Sequence, residues 1–187
     1  MRRVREEGGQ GLVELLIAMT VLSVGIGALL TLLGAGYVSL QRSERTGTAN
    51  TLAENQLELY RGVSYPYIRL SASALGSVPS RYLTANSSDS TIPPGSAASQ
   101  VTDASQPCTA GDTALCAPVQ TVTGPDHRSY EIDTYVTACP NAAITSCPAS
   151  GDPVKQVFVV VRDAAQSTFP ILARDASTFS SSTTATG

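Results

Sequence analysis

"GGQGLVELLIAMTVLSVG", Gly8–Gly25, decides how this chain is read. Two glycines are followed within a few residues by Glu14, which stands at the mouth of a long apolar run. From Leu15 to Gln41 the chain carries no charged residue, a stretch of 27 positions. About 20 apolar residues suffice to cross a bilayer core, and an ordinary secretory signal has a shorter core of roughly 7–15. Arg2, Arg3 and Arg5 precede the run, partly offset by Glu6 and Glu7. Arginines before a first span favour a cytoplasmic amino terminus, so the bulk of the chain is expected outside the cytoplasmic membrane. A carboxylate placed near a span carries a desolvation cost and is by default a functional-site hypothesis. Its natural partner is an amine, which a new chain terminus would supply.

The same stretch resembles the amino-terminal processing motif of type IV prepilins and type II secretion pseudopilins. That family has a short charged leader, a glycine, a cleavage point and an apolar segment with glutamate at mature position five. Counting back from Glu14 puts the cut after Gly9 and mature position one at Gln10. The resemblance implies cleavage by a prepilin peptidase, N-methylation of Gln10, and pairing of Glu14 with the terminal amine of a neighbouring subunit. It further implies membrane lipid around the helix before assembly, and then other pilin subunits and the inner-membrane assembly machinery as partners. The continuation from Leu22 through Gly62 is most similar to PilV-like minor prepilins. Two positions depart from the family pattern: Gln10 stands where phenylalanine is commonest, and Gly11 where threonine is frequent. Two plainer readings of the run are a signal-anchor helix and a long signal peptide cut near Gly34–Gly36.

Downstream, Ala49, Leu52, Ala53, Gln56, Leu57 and Tyr60 recur at spacings of three and four, which is a helical stripe. No proline occurs between Gln10 and Tyr65, and Gly62 then Pro66 offer a stop. The pattern predicts one helix from Leu12 to Arg61, about 75 Å long at 1.5 Å per residue. Its first half is apolar all round and its second half amphipathic. Gly25, Gly27, Gly34 and Gly36 each weaken it by up to about 1 kcal/mol relative to alanine. The curvature-setting proline frequent in relatives is missing.

Residues Ser71 to Pro107 are rich in Ser, Thr, Ala and Pro, and read as a long surface loop. Within it, Asn86-Ser87-Ser88 fits an N-glycosylation acceptor, a short pattern often met by coincidence. Strand signals follow at Val119–Thr123, in "SYEIDTYVTA", at Val157–Val161 and in "FPILARDASTFSS". Pro170 excludes a central strand position there. Short connections suggest an antiparallel meander packed on the helical stripe, an α+β arrangement. The expected organisation is a leader at 1–9, an apolar assembly helix at 10–41, its amphipathic continuation at 42–61 and an exported sheet domain at 62–187.

The four cysteines lie in the exported part, where an even number favours disulfides. The predicted pairs are Cys108–Cys116 and Cys139–Cys147, although three pairings are open to four cysteines. Zinc needs closer ligand pairs than these. His127, the single histidine, reads as a solvated turn residue, and no catalytic or nucleotide-binding fingerprint occurs. Glu131 and Asp133 share a strand face without evident partners and read as solvated edge charges. The net charge is −3, lysine occurs once and no basic block is present, so no nucleic-acid site is evident. These features point to a structural subunit with no enzyme activity, metal or cofactor. A membrane-anchored binding module, with its ligand on the Ser71–Pro107 segment, is the reading from another functional class.

Overall fold

A computed structural model describes residues 10–103, 113–139 and 154–181. The chain divides into two compact units, Met1–Glu44 and Arg45–Gly187. Helix α1, Gln10–Arg61, begins in the first and ends in the second. It starts two residues earlier than the apolar pattern predicts and stops where Gly62 and Pro66 predict.

In the first unit, every residue from Gly11 to Leu40 is exposed. Leu12, Leu22, Val24, Leu32 and Leu33 are each more than 55% exposed. A surface this apolar is far larger than a soluble monomer leaves bare. The helix is long and apolar enough to cross a membrane, with a mean hydropathy of 2.4 in its most apolar window.

In the second unit, the stripe on α1 is buried as its spacing demands. Ala49, Ala53, Leu57 and Tyr60 are at most 1% exposed, and Gln56 is buried beside them. Opposite them lies a four-stranded antiparallel sheet of β3 (Val119–Thr123), β4 (Ser129–Cys139), β5 (Val154–Asp163) and β6 (Ile171–Ser180). The strands pair in chain order, with Thr134 opposite Val159 and Val159 opposite Asp175. The meander and its long-helix α+β class are as the sequence predicts. Tyr130, Ile132 and Val136 of β4 join Val157, Val159 and Val161 of β5 and Ala173 of β6 against the helix. Two polar contacts seat the helix on the sheet: Arg45 Nη1 lies 3.6 Å from Asp163 Oδ2, and the Tyr60 hydroxyl donates to the Leu115 carbonyl at 2.7 Å.

The expectation of a surface loop at Ser71–Pro107 is corrected for residues 71–103; residues 104–107 lie outside the described residues. After a short parallel pair, β1 (Leu70–Ser71) with β2 (Thr102–Asp103), the intervening chain forms three single-turn helices. These are α2 (Ala72–Leu75), α3 (Ser80–Leu83) and α4 (Ala85–Ser88). A fourth, α5 (Thr113–Cys116), leads into β3. Leu75, Tyr82, Ala85 and Ile92 of this strap bury themselves against Tyr135 and Val160, on the sheet face that α1 leaves uncovered. Tyr82 stacks on Tyr135, ring centroids 4.3 Å apart, and its hydroxyl donates to the Thr134 carbonyl at 2.7 Å. Gly95 allows the closest approach: a Cβ there would stand 2.5 Å from the Tyr82 carbonyl oxygen. The strap also continues the sheet edge ahead of the start of β3. The Val136 amide donates to Gln100 Oε1, and the Val101 amide to the Val136 carbonyl, both at 2.7 Å.

Within the outermost strand, β6, Asp175 Oδ1 accepts from the Ala176 amide at 2.7 Å. His127, with φ 58°, sits exposed in the β3–β4 turn, as expected of a solvated turn residue.

Candidate functional site: the amino-terminal segment

The residues singled out at the amino terminus lie at the start of α1. Gly9 lies outside the described residues, and Gln10 is the first residue of the helix. Glu14 is in the second turn and exposed. Among the described residues it has neither an ion pair nor a side-chain hydrogen bond.

Polar side chains further along the apolar run are satisfied within the helix itself. Thr20 donates to the Ile17 carbonyl at 2.8 Å, Ser23 to the Met19 carbonyl at 2.7 Å, and Thr31 to the Gly27 carbonyl at 2.8 Å. Lipid offers no partner to a hydroxyl, so this back-bonding is what lets Ser and Thr stand in a span. Glu14 is therefore the one charged side chain between Gln10 and Gln41. A Cβ added at Gly11, Gly25, Gly27, Gly34 or Gly36 would meet no atom within 4 Å. Nothing inside the described chain accounts for these glycines.

The cysteine prediction falls partly outside the described residues. Cys108 and Cys147 are not among them. Cys116, in α5, and Cys139, at the end of β4, are not free thiols. Asn86 lies in α4 and is half-buried.

Glu131 and Asp133 are not solvated edge charges. Both are buried, at 3% and 0% exposure, because the strap covers their face. Arg81 of α3 takes Glu131 in a two-pronged pair, its Nε donating to Oε1 at 2.6 Å and its Nη2 to Oε2. Arg162 Nε donates to Asp133 Oδ2 at 2.7 Å, while Oδ1 is buried without a partner among the described residues. Burial pushes the Asp133 carboxyl up to about 6, against the pull of Arg162. The partners were available in the sequence as Arg81 and Arg162, two cations set among apolar and hydroxyl residues. Spacing along the chain could not join them to carboxylates 50 and 29 positions away.

A groove of about 350 Å³ opens between the end of α1 and the end of β6, lined by Arg61, Ser64, Tyr65, Ile68 and Phe179 among others. Arg61 is engaged by Glu58 at 2.9 Å. Among the described residues no cluster of His, Cys, Asp and Glu could hold a metal ion.

Residues 5–30 match the family model described as the prokaryotic N-terminal methylation motif. No curated protein and no solved structure matches the chain. The match spans the Gly9–Gln10 junction, Glu14 and the first part of the exposed apolar helix. The motif is that of a structural class of proteins rather than a catalytic one. It implies processing by a prepilin peptidase, assembly with other pilins and anchoring in the inner membrane. The chain thus carries this motif at the head of a long apolar helix and goes on to build a small antiparallel sheet, an order of parts like that of type IV pilin and pseudopilin precursors.

Proposed function

We propose that this chain is a minor, PilV-like subunit of a type IV pilus or related filament. It is held in the inner membrane with residues 1–9 in the cytoplasm until the peptidase cuts after Gly9. Gln10 then becomes the N-methylated terminus. The helix at 10–41 leaves lipid and packs among other helices, while the continuation at 42–61 carries the domain at 62–187 to the outside. Cys108–Cys116 and Cys139–Cys147 close two local loops in that domain, each worth about 2–3 kcal/mol by loop-closure entropy.

The observation that supports this reading most is Glu14. It is a carboxylate without a partner among the described residues, set inside a motif match, on the part of the helix, residues 11–40, whose apolar surface is wholly exposed. A charge in such a place is expensive unless something neutralises it, and the amine freed at Gln10 of a neighbouring subunit is suited to do so. That pairing would set the axial register between subunits. A type II secretion pseudopilin shares the motif and is the nearest variant of the same reading.

Replacing Glu14 with Ala tests it. The variant is expected to insert and be processed but to be lost or strongly reduced in sheared filaments, measured against the other subunits by immunoblot. Unchanged incorporation would defeat the proposal. Intact surface display and ligand binding without filaments would instead favour an anchored binding module.

A further inference from the structure

Residues 71–100 carry only two charged side chains, Arg81 and Asp89, and both are turned onto the sheet. Arg81 grips Glu131 on β4, and Asp89 is gripped by Arg174 on β6. Between these latches lie the stacked Tyr82 and Tyr135 rings and the apolar contacts of Leu75 and Ile92. Of the two carboxylates the strap hides, Glu131 has both oxygens taken by Arg81, whereas Asp133 is fully buried with one oxygen bonded to Arg162 and the other to nothing among the described residues.

The geometry points to a cover whose grip depends on pH: we propose that the strap holds the outer sheet face most tightly in mild acid and loosens as the pH rises towards neutrality. An ionised carboxylate with an orphaned oxygen is costly to bury, and a neutral one much less so. Lifting the strap returns Asp133 to water and removes that cost. The groups that act on Asp133 come from each element around it. Arg162 of β5 and Arg81 of the strap favour its charge; Glu131, on the same face of β4, opposes it. The Tyr82 and Tyr135 phenols are held neutral by burial. Burial outweighs the two arginines, and the Asp133 carboxyl rises to about 6 from its usual 3.8.

The sign follows directly. The closed strap binds the proton more tightly than the open one, so closure weakens as pH rises from the ordinary carboxyl value to the folded one and levels off above it. If opening restores the ordinary carboxyl, the opening constant rises about tenfold between about pH 5 and about pH 7.5. The Asp89 latch is no counterweight in this window, because Thr91 and Arg174 hold its carboxyl below the usual carboxylate range and it loses charge only in stronger acid. Opening would bare Tyr135 and Val160, which are now fully buried.

Hydrogen exchange read by mass spectrometry on the full chain in detergent micelles tests this, with rates corrected for the intrinsic pH dependence of amide exchange. Peptides from 71–100 are expected to exchange before those of β5 at both pH values. They should lose about tenfold in protection from about pH 5 to about pH 7.5. Asp133→Asn should abolish that change. Glu131→Gln, which frees Arg81, should lower strap protection at both pH values and leave the tenfold ratio in place. The proposal is overturned if the wild-type ratio is flat, if it persists in Asp133→Asn, if it vanishes in Glu131→Gln, or if the strap exchanges only together with β5.

Discussion

Truncating Leu57 to alanine tests the seat of the sheet on the helix. Leu57 is 1% exposed and sits in the cluster that joins α1 to β4 and β5. The change removes three carbons, worth about 0.8 kcal/mol each in transfer, or about 2.4 kcal/mol. The sheet on one side and the helix backbone on the other cannot close the gap fully, and the residual cavity brings the expected loss to about 3–4 kcal/mol. Leu59, two residues on, is 44% exposed on the opposite side of the same helix. Leu59→Ala should change stability by less than about 0.5 kcal/mol. The assay is urea unfolding of the full chain in detergent, followed by near-ultraviolet circular dichroism. The chain has no tryptophan, so the signal comes from Tyr60, Tyr82, Tyr130 and Tyr135, all buried in this unit. Equal losses for the two variants, or a loss under about 1 kcal/mol for Leu57→Ala, would refute the packing described.

Other outcomes follow from particular atoms. Gly95→Ala places a Cβ against the Tyr82 backbone, which no side-chain motion relieves. It should cost about 1–3 kcal/mol by the same unfolding assay and raise strap exchange. Thr91, through its hydroxyl and amide, and then Arg174 hold the Asp89 carboxyl below the usual carboxylate range. Its contribution is present above about pH 4 and is lost as pH falls through the folded value, so acid loosening of the strap should be shallower in Asp89→Asn. Tyr82→Phe removes a buried bond to the Thr134 carbonyl and should cost about 1 kcal/mol or somewhat more, because the acceptor stays buried.

The helix and the meander were legible because their signals are local. Ala49, Ala53, Leu57 and Tyr60 fall on one face by helical period alone, and β4 alternates cleanly. The strap was not legible, because its signal is sparse: Leu75, Tyr82 and Ile92 stand alone among serines and threonines and form no period. The clue lay instead in β5. Val157 to Val161 is apolar at every position, and a strand with one solvated face would alternate. A continuous run requires cover on both sides, and α1 supplies only one. The misreading of Glu131 and Asp133 follows from the same omission, since a face taken as open leaves its carboxylates in water. At the amino terminus the reverse holds: the motif is legible in full, while Gly9 lies outside the described residues and Glu14 has no partner among them.

The mass of the mature amino terminus, from protein taken out of cells that make the filament, tests the central claim most directly. The account predicts a chain beginning at Gln10 and heavier by one methyl group. A chain beginning near Tyr37, or one that still carries residues 1–9, would contradict it.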